Sequence, residues 1–338
     1  MTRHLPTHVP AQYPTHVLDR VLAPVLPSEL ADKVADLRKA SKALNTQKAY
    51  LADWQRWQNW CNAQGYESMP AHPDTVSAYL ADQATVCKVA TLARHLATIS
   101  KAHQVAGMPN PCRETSVRDT MSGLRKTYGV KQTEAPGLLA DSLRVTLDTL
   151  SGGLSGLRDR ALLLIGWTAG LRRSEIAGLT WGDMGADPDG LIITLAKSKT
   201  DQEGKGRVVG IAKEDTPGRC PVGALSAWRE AVALVNPDAV AEDMPVFVQV
   251  TKWGGIKPGH LTGQAIAKVI ERRTSQAGLP VRYQGHSLRK GLVQTAFLAG
   301  VSDSQVMKTT GHQSVTMLVR YQGGAGVVSR SASKGLLA

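Results

Sequence analysis

The sequence is poor in cysteine, in aromatic residues and in long apolar runs, and each shortage excludes a class of protein. Its 4 cysteines lie far apart with no C-x-x-C pair, which argues against a zinc site or a disulfide framework and predicts reduced thiols in a cytoplasmic protein. No run of about 18 apolar residues occurs, so we expect no membrane-spanning helix. With 5% aromatic residues the chain shows no stacking platform for single-stranded RNA, which makes an RNA-binding module the weaker alternative.

The charge is strongly basic. Lys and Arg total 40 against 28 Asp and Glu, a formal net charge of +12. Such an excess predicts a polyanionic partner, which is DNA, RNA or an anionic membrane surface. Because the N-terminus also lacks the apolar core of a secretory signal, nucleic acid is favoured over a membrane. The sequence shows no carboxylate cluster and no G-x-x-x-x-G-K-[ST] loop, which agrees with chemistry that uses neither a metal nor a nucleotide.

The chain of 338 residues is long enough for two domains, and its 42% hydrophobic and 20% charged residues are typical of a folded protein. The predicted segments are a Pro- and His-rich mobile arm (1–26), an all-helical domain (27–128), a polar linker (129–138) and a second domain (139–338). Asn45 is the predicted N-cap of the first helix of the helical domain, and Gly65 is its predicted end.

The second domain is predicted to be mostly helical with a small antiparallel sheet. The segments GLIITLAKSKT and GRVVGIA read as paired strands, because β-branched residues flank a glycine-containing turn. Three short helices are expected near the C-terminus. The first opens at His286 and ends at Gly300, the second lies between Ser302 and Gly311, and the third carries Tyr321.

Two motifs carry the candidate chemistry. The C-terminal stretch contains H-x-x-R (His286, Arg289), then G-H (His312), then Tyr321. These side chains, on three consecutive short helices, are able to converge on one phosphate. Upstream, TAGLRRSEIAGL places Glu175 one helical turn after Arg172, where its carboxylate can hold the guanidinium. Singly, each motif also fits an ordinary surface ion pair or a core histidine. The ordered set is more specific.

The ordered set resembles the signatures of the tyrosine recombinases (phage integrase family), which read G-L-R-x-S-E-L, H-x-x-R, G-H and Tyr. The intervals from His286 to Tyr321 are close to those of the Cre-type site-specific recombinases. The segment N-T-x-x-x-Y with W-x-x-W-C, which follows residue 44, resembles the opening of the family's core-binding domain. The resemblance implies an N-terminal all-helical (SAM-like) core-binding domain and a C-terminal α+β catalytic domain with a small antiparallel sheet.

The resemblance also implies a reaction. A tyrosine attacks the DNA backbone and forms a 3′-phosphotyrosyl intermediate, which conserves the bond energy and needs neither ATP nor metal. On the predicted hairpin a lysine protonates the leaving oxygen, and Lys199 matches best, with Lys197 and Lys205 as alternatives. The implied catalytic residues are Arg172, Glu175, Lys199, His286, Arg289, His312 and the nucleophile Tyr321.

Further residues are expected to contact DNA. On the first and third helices of the core-binding domain, these are Lys48, Thr91, Arg94 and His95. In the second domain, the helix GHLTGQAIAKVIERR resembles the one that reads bases in Cre-type enzymes, with Gln264 in the reading position and Lys268 on the same helix. Lys and Arg neutralise phosphates, and Gln suits the N6/N7 edge of adenine.

In the family, four protomers hold two duplexes, so the resemblance implies a homo-tetramer on inverted-repeat DNA sites, a Holliday-junction intermediate, and a monomer in solution. A bacterial or phage protein of the cytoplasm, associated with the nucleoid, is expected. Two alternatives remain open. The same active site serves type IB topoisomerases and telomere resolvases, and a basic chain can also be a non-catalytic DNA-binding protein.

Overall fold

A computed structural model describes residues 27–30, 32–34, 44–129, 135–195 and 206–322. The arm predicted for residues 1–26 and the turn between the two predicted strands lie outside these ranges. Contacts divide the chain into two compact units, Met1–Gln132 and Thr133–Ala338. None of the described helices is both long enough and apolar enough to cross a lipid bilayer.

The described part of the first unit is helical. Pro73 occupies the first turn of its second helix, where a missing N–H costs nothing, and the His72 side chain accepts a hydrogen bond from the Asp74 amide. Gly65 follows the first helix with φ of 73°, as predicted, whereas Asn45 lies inside that helix and is not its cap. The helices are α1 (Leu44–Gln64), α2 (Pro73–Gln83), α3 (Val89–Val105) and α4 (Thr115–Tyr128), with a 3-10 turn at Pro111–Arg113.

Aromatic packing centres the core of this unit. Trp57 is fully buried, its ring meets Tyr79 edge-on at 5.0 Å, and its indole N–H donates to the Ser68 carbonyl. Leu80, Leu92 and other buried apolar side chains complete one cluster. The four helices therefore enclose a core of their own.

The second unit is mostly helical with two small sheets. Its helices are α5 (Ala140–Asp148), α6 (Leu154–Thr168), α7 (Arg173–Gly178), α8 (Pro221–Val235), α9 (Gly263–Gln276), α10 (Ser287–Leu298), α11 (Asp303–Thr310) and α12 (Val315–Gln322). Its strands are β1 (Met184–Asp187), β2 (Gly190–Leu195), β3 (Arg207–Ala212), β4 (Val248–Val250) and β5 (Ile256–His260).

The sheets are antiparallel. Strand β2 pairs with β1 on one side and with β3 on the other, and β4 pairs with β5. The predicted pairing of β2 with β3 is confirmed, with Leu195 opposite Arg207 at the end of the register. Strand β1 and the β4–β5 pair were not predicted, because each is short and mostly exposed. Mostly helical architecture with a small antiparallel sheet confirms the predicted fold class.

The three C-terminal helices form where they were predicted. The Ser302 hydroxyl accepts from the Gln305 amide and caps α11, and Gly311 ends that helix in the left-handed conformation with φ of 69°. Val293, Val306 and Leu318, one from each helix, form a buried cluster against which Tyr321 packs. This cluster places the three helices, and so their polar side chains, around one point.

Candidate active site

Arg172 and Glu175 form a buried ion pair at the start of α7. Gly170 turns the chain between α6 and α7 with φ of 57°, a conformation that favours glycine. Glu175 then accepts from the Arg172 backbone N–H at 2.9 Å (Oε2) and from Arg172 Nη1 at 2.6 Å (Oε1). Both side chains are buried, so the carboxylate fixes the direction of the guanidinium.

Arg289 lies on α10 and is fully buried. Its Nη1 donates to the carbonyl oxygens of Gly170, at 2.8 Å, and of Thr310. Its Nη2 lies 3.1 Å from Nε2 of His312. Its Nε has no hydrogen-bond partner among the described residues. A guanidinium has five N–H donors, three of these are engaged, and Nε–H with one Nη2–H remain for a further acceptor.

His312 is a neutral imidazole in this arrangement. Burial, followed by the positive charge of Arg289, lowers the pKa of His312 to about 3. A guanidinium can only donate, so Nε2 accepts from Arg289, and Nδ1 lies 2.6 Å from the Thr310 hydroxyl. His312 therefore faces Arg289 with a lone pair, not with a proton.

Tyr321 lies against both histidines and Arg289. Its ring centroid is 4.7 Å from that of His312 and 5.9 Å from that of His286. The guanidinium carbon of Arg289 is 5.9 Å from the same ring. His286 is exposed at the start of α10. The four side chains predicted from the C-terminal motif thus lie together.

The two arginines belong to one electrostatic environment. Burial, followed by the charge of Arg172, lowers the pKa of Arg289 to about 10, and Glu175 opposes this effect. The described residues contain no group of three or more metal-ligating side chains. Concentrated positive charge beside a phenol suits binding of a phosphodiester and stabilisation of charge that develops on it.

Arg207 is a residue of this cluster that the motifs did not reveal. Its Nη2 donates to Oε2 of Glu175 at 3.1 Å, and its Nη1 donates to the Thr309 carbonyl. Burial lowers the pKa of Arg207, and Glu175 opposes this effect. The only sequence signal is an arginine at the start of a predicted strand, which ordinarily indicates an exposed edge.

Lys199 and its alternatives Lys197 and Lys205 lie outside the described residues, between β2 and β3. The strand ends that flank them are described, and Arg207 on β3 contacts Glu175. The described strand residues that flank the lysines, Leu195 and Arg207, lie opposite each other in the β2–β3 pair. Which lysine serves the reaction stays a prediction.

In the first unit, one predicted DNA contact is wrong. His95 is fully buried, with Nδ1 2.9 Å from the Tyr79 hydroxyl and Nε2 3.3 Å from Asp53, so it cannot face DNA. Burial lowers the pKa of His95 despite the Asp53 charge. Arg94 is half exposed, but its Nε and Nη2 both donate to the buried Asp53 carboxylate. The remaining candidates of this unit are accessible: Thr91 is half-buried and Lys48 is exposed.

Helix α9 presents two predicted contacts to solvent. Gln264 and Lys268 are exposed one turn apart, and the Thr262 hydroxyl caps the helix by accepting from the Ala265 amide. The other end of α9 is anchored by the fully buried Asp159 carboxylate, which accepts from side chains of Arg272 and Arg273. Helix α9 is thus anchored at its C-terminal end, and one face of its N-terminal half is polar and exposed.

Comparison with known proteins identifies the family. A model of the phage integrase family matches residues 138–324, more than half of the chain. An integrase/recombinase XerD homologue of Selenomonas ruminantium is 32% identical over 286 residues, which cover 83% of this chain and 82% of that protein. The chain belongs to the phage integrase family. It is a tyrosine site-specific recombinase that acts on DNA, which confirms the prediction from the motifs.

Other relatives extend the comparison to part of the chain and to the fold. Tyrosine recombinase XerC of Xylella fastidiosa (strain 9a5c) is 31% identical over 163 residues, and the match covers 48% of this chain and 47% of that relative. The chain of XerH site-specific recombinase bound to palindromic difH substrate superposes with a TM-score of 0.63 at 16% identity, covering 95% of this chain and 87% of that one. A lambda integrase tetramer bound to a Holliday junction gives 0.57 at 14%, covering 90% and 83%. These structures share the integrase fold.

Proposed function

We propose that this recombinase cleaves and rejoins a DNA strand through a covalent bond between the Tyr321 oxygen and a 3′-phosphate. One observation carries the proposal: the Tyr321 ring lies 4.7 Å from His312 and packs beside the buried guanidinium of Arg289. A phenol is ordinarily a weak nucleophile at neutral pH because its pKa is about 10. Nearby cations that bind the phosphate and stabilise its negative charge make the attack feasible.

Arg172 and Arg289 are the phosphate-binding groups of this proposal. Nε–H and one Nη2–H of Arg289 remain available, and both suit the non-bridging oxygens of a phosphodiester. Glu175 holds Arg172 in place by two hydrogen bonds. His312 acts through Arg289, because its Nε2 accepts from that guanidinium. Charge stabilisation by fixed donors is a large contribution in phosphoryl transfer, and it requires no movement during the reaction.

The Tyr321 oxygen bonds to phosphorus, its proton passes to His286, and the bond from phosphorus to the 5′-oxygen breaks. Lys199, or else Lys197 or Lys205, supplies the proton that the 5′-oxygen takes up. The exposed His286, whose ring meets the Tyr321 ring edge-on at 5.9 Å, is the base that we assign to this proton transfer. The reverse sequence rejoins the strand, so the phosphodiester energy is conserved.

For DNA recognition we propose Lys48 and Thr91 in the first unit and Gln264 and Lys268 on α9. The accessible position of each side chain supports its assignment. Gln264 is the candidate for reading a base, while the lysines neutralise phosphates. We assign Arg94 mainly a structural role, because its guanidinium donates two hydrogen bonds to Asp53.

We also propose that four protomers assemble on paired inverted-repeat sites and exchange strands through a Holliday junction, starting from monomers in the cytoplasm at the nucleoid. Support comes from solved proteins of the same fold, one a tetramer on a Holliday junction and one on a palindromic substrate. The Cre-type assignment rests on the intervals between motifs alone, since the relatives named above carry Xer and integrase names.

The test is a search for the covalent adduct. Native protein, Tyr321→Phe and the control Tyr283→Phe, which alters a buried tyrosine of the same unit, are incubated with the genomic DNA that flanks the gene. Adducts are detected on denaturing gels and mapped. We expect a 3′-linked adduct at discrete sites for native protein and the control, and none for Tyr321→Phe. An adduct that persists in Tyr321→Phe contradicts the proposal, and relaxation of any supercoiled plasmid without a preferred site would indicate a topoisomerase.

A further inference from the structure

Thr310, at the end of α11, makes contacts that neither recombinase motif accounts for. It is fully buried, and its hydroxyl lies 2.6 Å from the Val306 carbonyl and 2.6 Å from Nδ1 of His312. Its own carbonyl accepts from Nη1 of Arg289. One threonine thus touches two members of the proposed site, once through its side chain and once through its backbone.

The donor and acceptor capacities of these groups fix where the protons lie in the hydrogen bonds that join Val306, Thr310, His312 and Arg289. A hydroxyl has one proton, and the Val306 carbonyl can only accept, so the Thr310 proton points there. Nδ1 of His312 must then donate to the Thr310 oxygen. Independently, Nη2 of Arg289 can only donate, so Nε2 of His312 accepts. Both constraints give the same neutral tautomer, with the proton on Nδ1.

We propose that Thr310 is a positioning residue whose hydroxyl holds His312 in the Nδ1–H tautomer, so that this imidazole and the Thr310 carbonyl together orient the Arg289 guanidinium. The proposal rests on the function proposed above, in which Arg289 binds the phosphate. Thr310 touches neither the phosphate nor Tyr321 in this role and acts through its two neighbours.

Removal of the hydroxyl has a defined consequence. Nδ1–H would then be a buried donor without an acceptor, which is unfavourable. The imidazole escapes this cost by moving its proton to Nε2, but Nε2–H would then face the N–H of Arg289, donor against donor. Either the ring or the guanidinium must turn away. The two remaining donors of Arg289 then no longer point in the direction that the native arrangement gives them.

Threonine hydroxyls in helices often bond the carbonyl four residues earlier, and this alone has no functional meaning. Thr146 on α5 is such a case, fully buried with its hydroxyl 2.8 Å from the Ser142 carbonyl. Thr310 differs because its hydroxyl oxygen also forms a hydrogen bond with the His312 imidazole. Thr146 is therefore a matched control for loss of a buried helical hydroxyl.

The experiment compares Thr310→Val, which keeps the shape without the hydroxyl, with Thr310→Ser, which keeps the hydroxyl, and with Thr146→Val. The tautomer of His312 is read from the 15N shifts of its imidazole in full-length protein without DNA. The rate of Tyr321 adduct formation is measured in a single turnover on a DNA fragment that native protein cleaves, and DNA affinity is measured on the same fragment.

We expect Nδ1–H in native protein, Thr310→Ser and Thr146→Val, and loss of that signature in Thr310→Val. The adduct rate of Thr310→Val should fall about 10–100-fold, the loss that is typical when the hydrogen-bond partner of a metal-bound histidine is removed, with unchanged DNA affinity. The other two variants should stay within about threefold of native protein. An Nε2–H or protonated His312 in native protein overturns the proposal, as does equal activity of the Val and Ser variants.

If Thr310→Val does not fold, a native tautomer and rate in Thr310→Ser support the proposal and their loss refutes it. Absence of adduct in native protein would refute the proposed function, while the tautomer measurement would still test the hydrogen-bond chain.

Discussion

Nη2 of Arg207 lies 3.1 Å from Oε2 of Glu175. The other oxygen of this carboxylate accepts from Arg172, so one buried carboxylate holds two guanidiniums. Arg207 also donates to the Thr309 carbonyl, near the end of α11, and thereby connects β3 to the helix that precedes His312. The strand that follows the predicted lysine segment is thus tied to two parts of the proposed site.

Arg207→Lys is expected to slow adduct formation. A single ammonium cannot reach both acceptors as the guanidinium fork does. Either Glu175 or the Thr309 carbonyl therefore loses its donor, and Glu175 holds Arg172 less firmly. The expected fall in single-turnover rate is about tenfold, or ~1.4 kcal/mol of transition-state stabilisation, with DNA affinity within about twofold. Adduct gels and a binding titration on the same DNA measure the two quantities.

Arg158→Lys is the control for that variant. Arg158 is also buried and donates to a buried carboxylate, Asp159, which keeps two further arginine partners. We expect lower thermal stability with a native adduct rate. Equal rate losses in Arg158→Lys and Arg207→Lys would mean that general destabilisation explains both.

Stability should fall in mild acid because of His312. Burial and Arg289 lower its folded pKa to about 3, whereas the unfolded chain has the ordinary value of about 6.5. Between these values the unfolded state binds the proton and the folded state does not, so the free energy of unfolding falls as pH falls, by at most about 1.4 kcal/mol per pH unit for one proton. Burial also lowers the pKa of His95, so this residue changes stability with pH in the same direction.

Urea unfolding at several pH values from 7 down to 4.5 measures this dependence. His312→Gln should show a shallower loss of stability with acid than native protein does, because the variant lacks one of the groups that take up a proton on unfolding. Parallel curves for the two proteins would show that His312 is not a buried neutral imidazole.

Lys268 and Arg94 should affect DNA binding differently. Lys268 is exposed on α9. Lys268→Ala should remove one phosphate contact, which makes the negative slope of log K against log salt concentration shallower by about 0.9. Arg94→Ala should leave the slope nearly unchanged and lower the thermal stability of the first unit, because the buried Asp53 loses its charge partner. Salt titrations and thermal melts measure both effects. A slope change in Arg94→Ala alone would reverse this assignment.

Two helical glycines should respond to alanine in opposite directions. A Cβ on Gly291 would lie 1.8 Å from the Leu138 carbonyl oxygen, so Gly291→Ala forces α10 and residue 138 apart and should cost at least about 1–3 kcal/mol. Gly123, on α4, has open space around it, and Gly123→Ala should stabilise by about 0.5–1 kcal/mol. Thermal melts of both variants test the pair, and stabilisation by Gly291→Ala would contradict the close approach.

The predicted helices and the β2–β3 pair matched the structure where local chemistry sets the backbone. Proline at position 73, serine at 302 and glycine at 311 act within one turn of their own positions, so their effect is readable from the sequence. Asn45 failed as a cap because α1 already includes it. Strands β1, β4 and β5 were missed because all three are short and β1 and β5 are mostly exposed, which leaves little alternation to read.

The polar network was only half predictable. His286, Arg289, His312 and Tyr321 were found through an ordered motif, not through any contact that the sequence displays. Arg207 and Thr310 belong to no motif, and the first of these meets Glu175, 32 residues away. Thr310 and His312 are neighbours in the chain, but only the burial of both makes their hydrogen bond obligatory.

The sequence by itself determined the family, the positions of most helices, and the identity of a phenol surrounded by cationic groups. These follow from residue types and intervals along the chain. Only the tertiary structure decided which polar side chains lie in the interior: His95 became a core residue bonded to Tyr79, and Arg289 was enclosed with its partners. The physical reason is that desolvation and hydrogen-bond geometry depend on residues that packing brings together from distant parts of the chain.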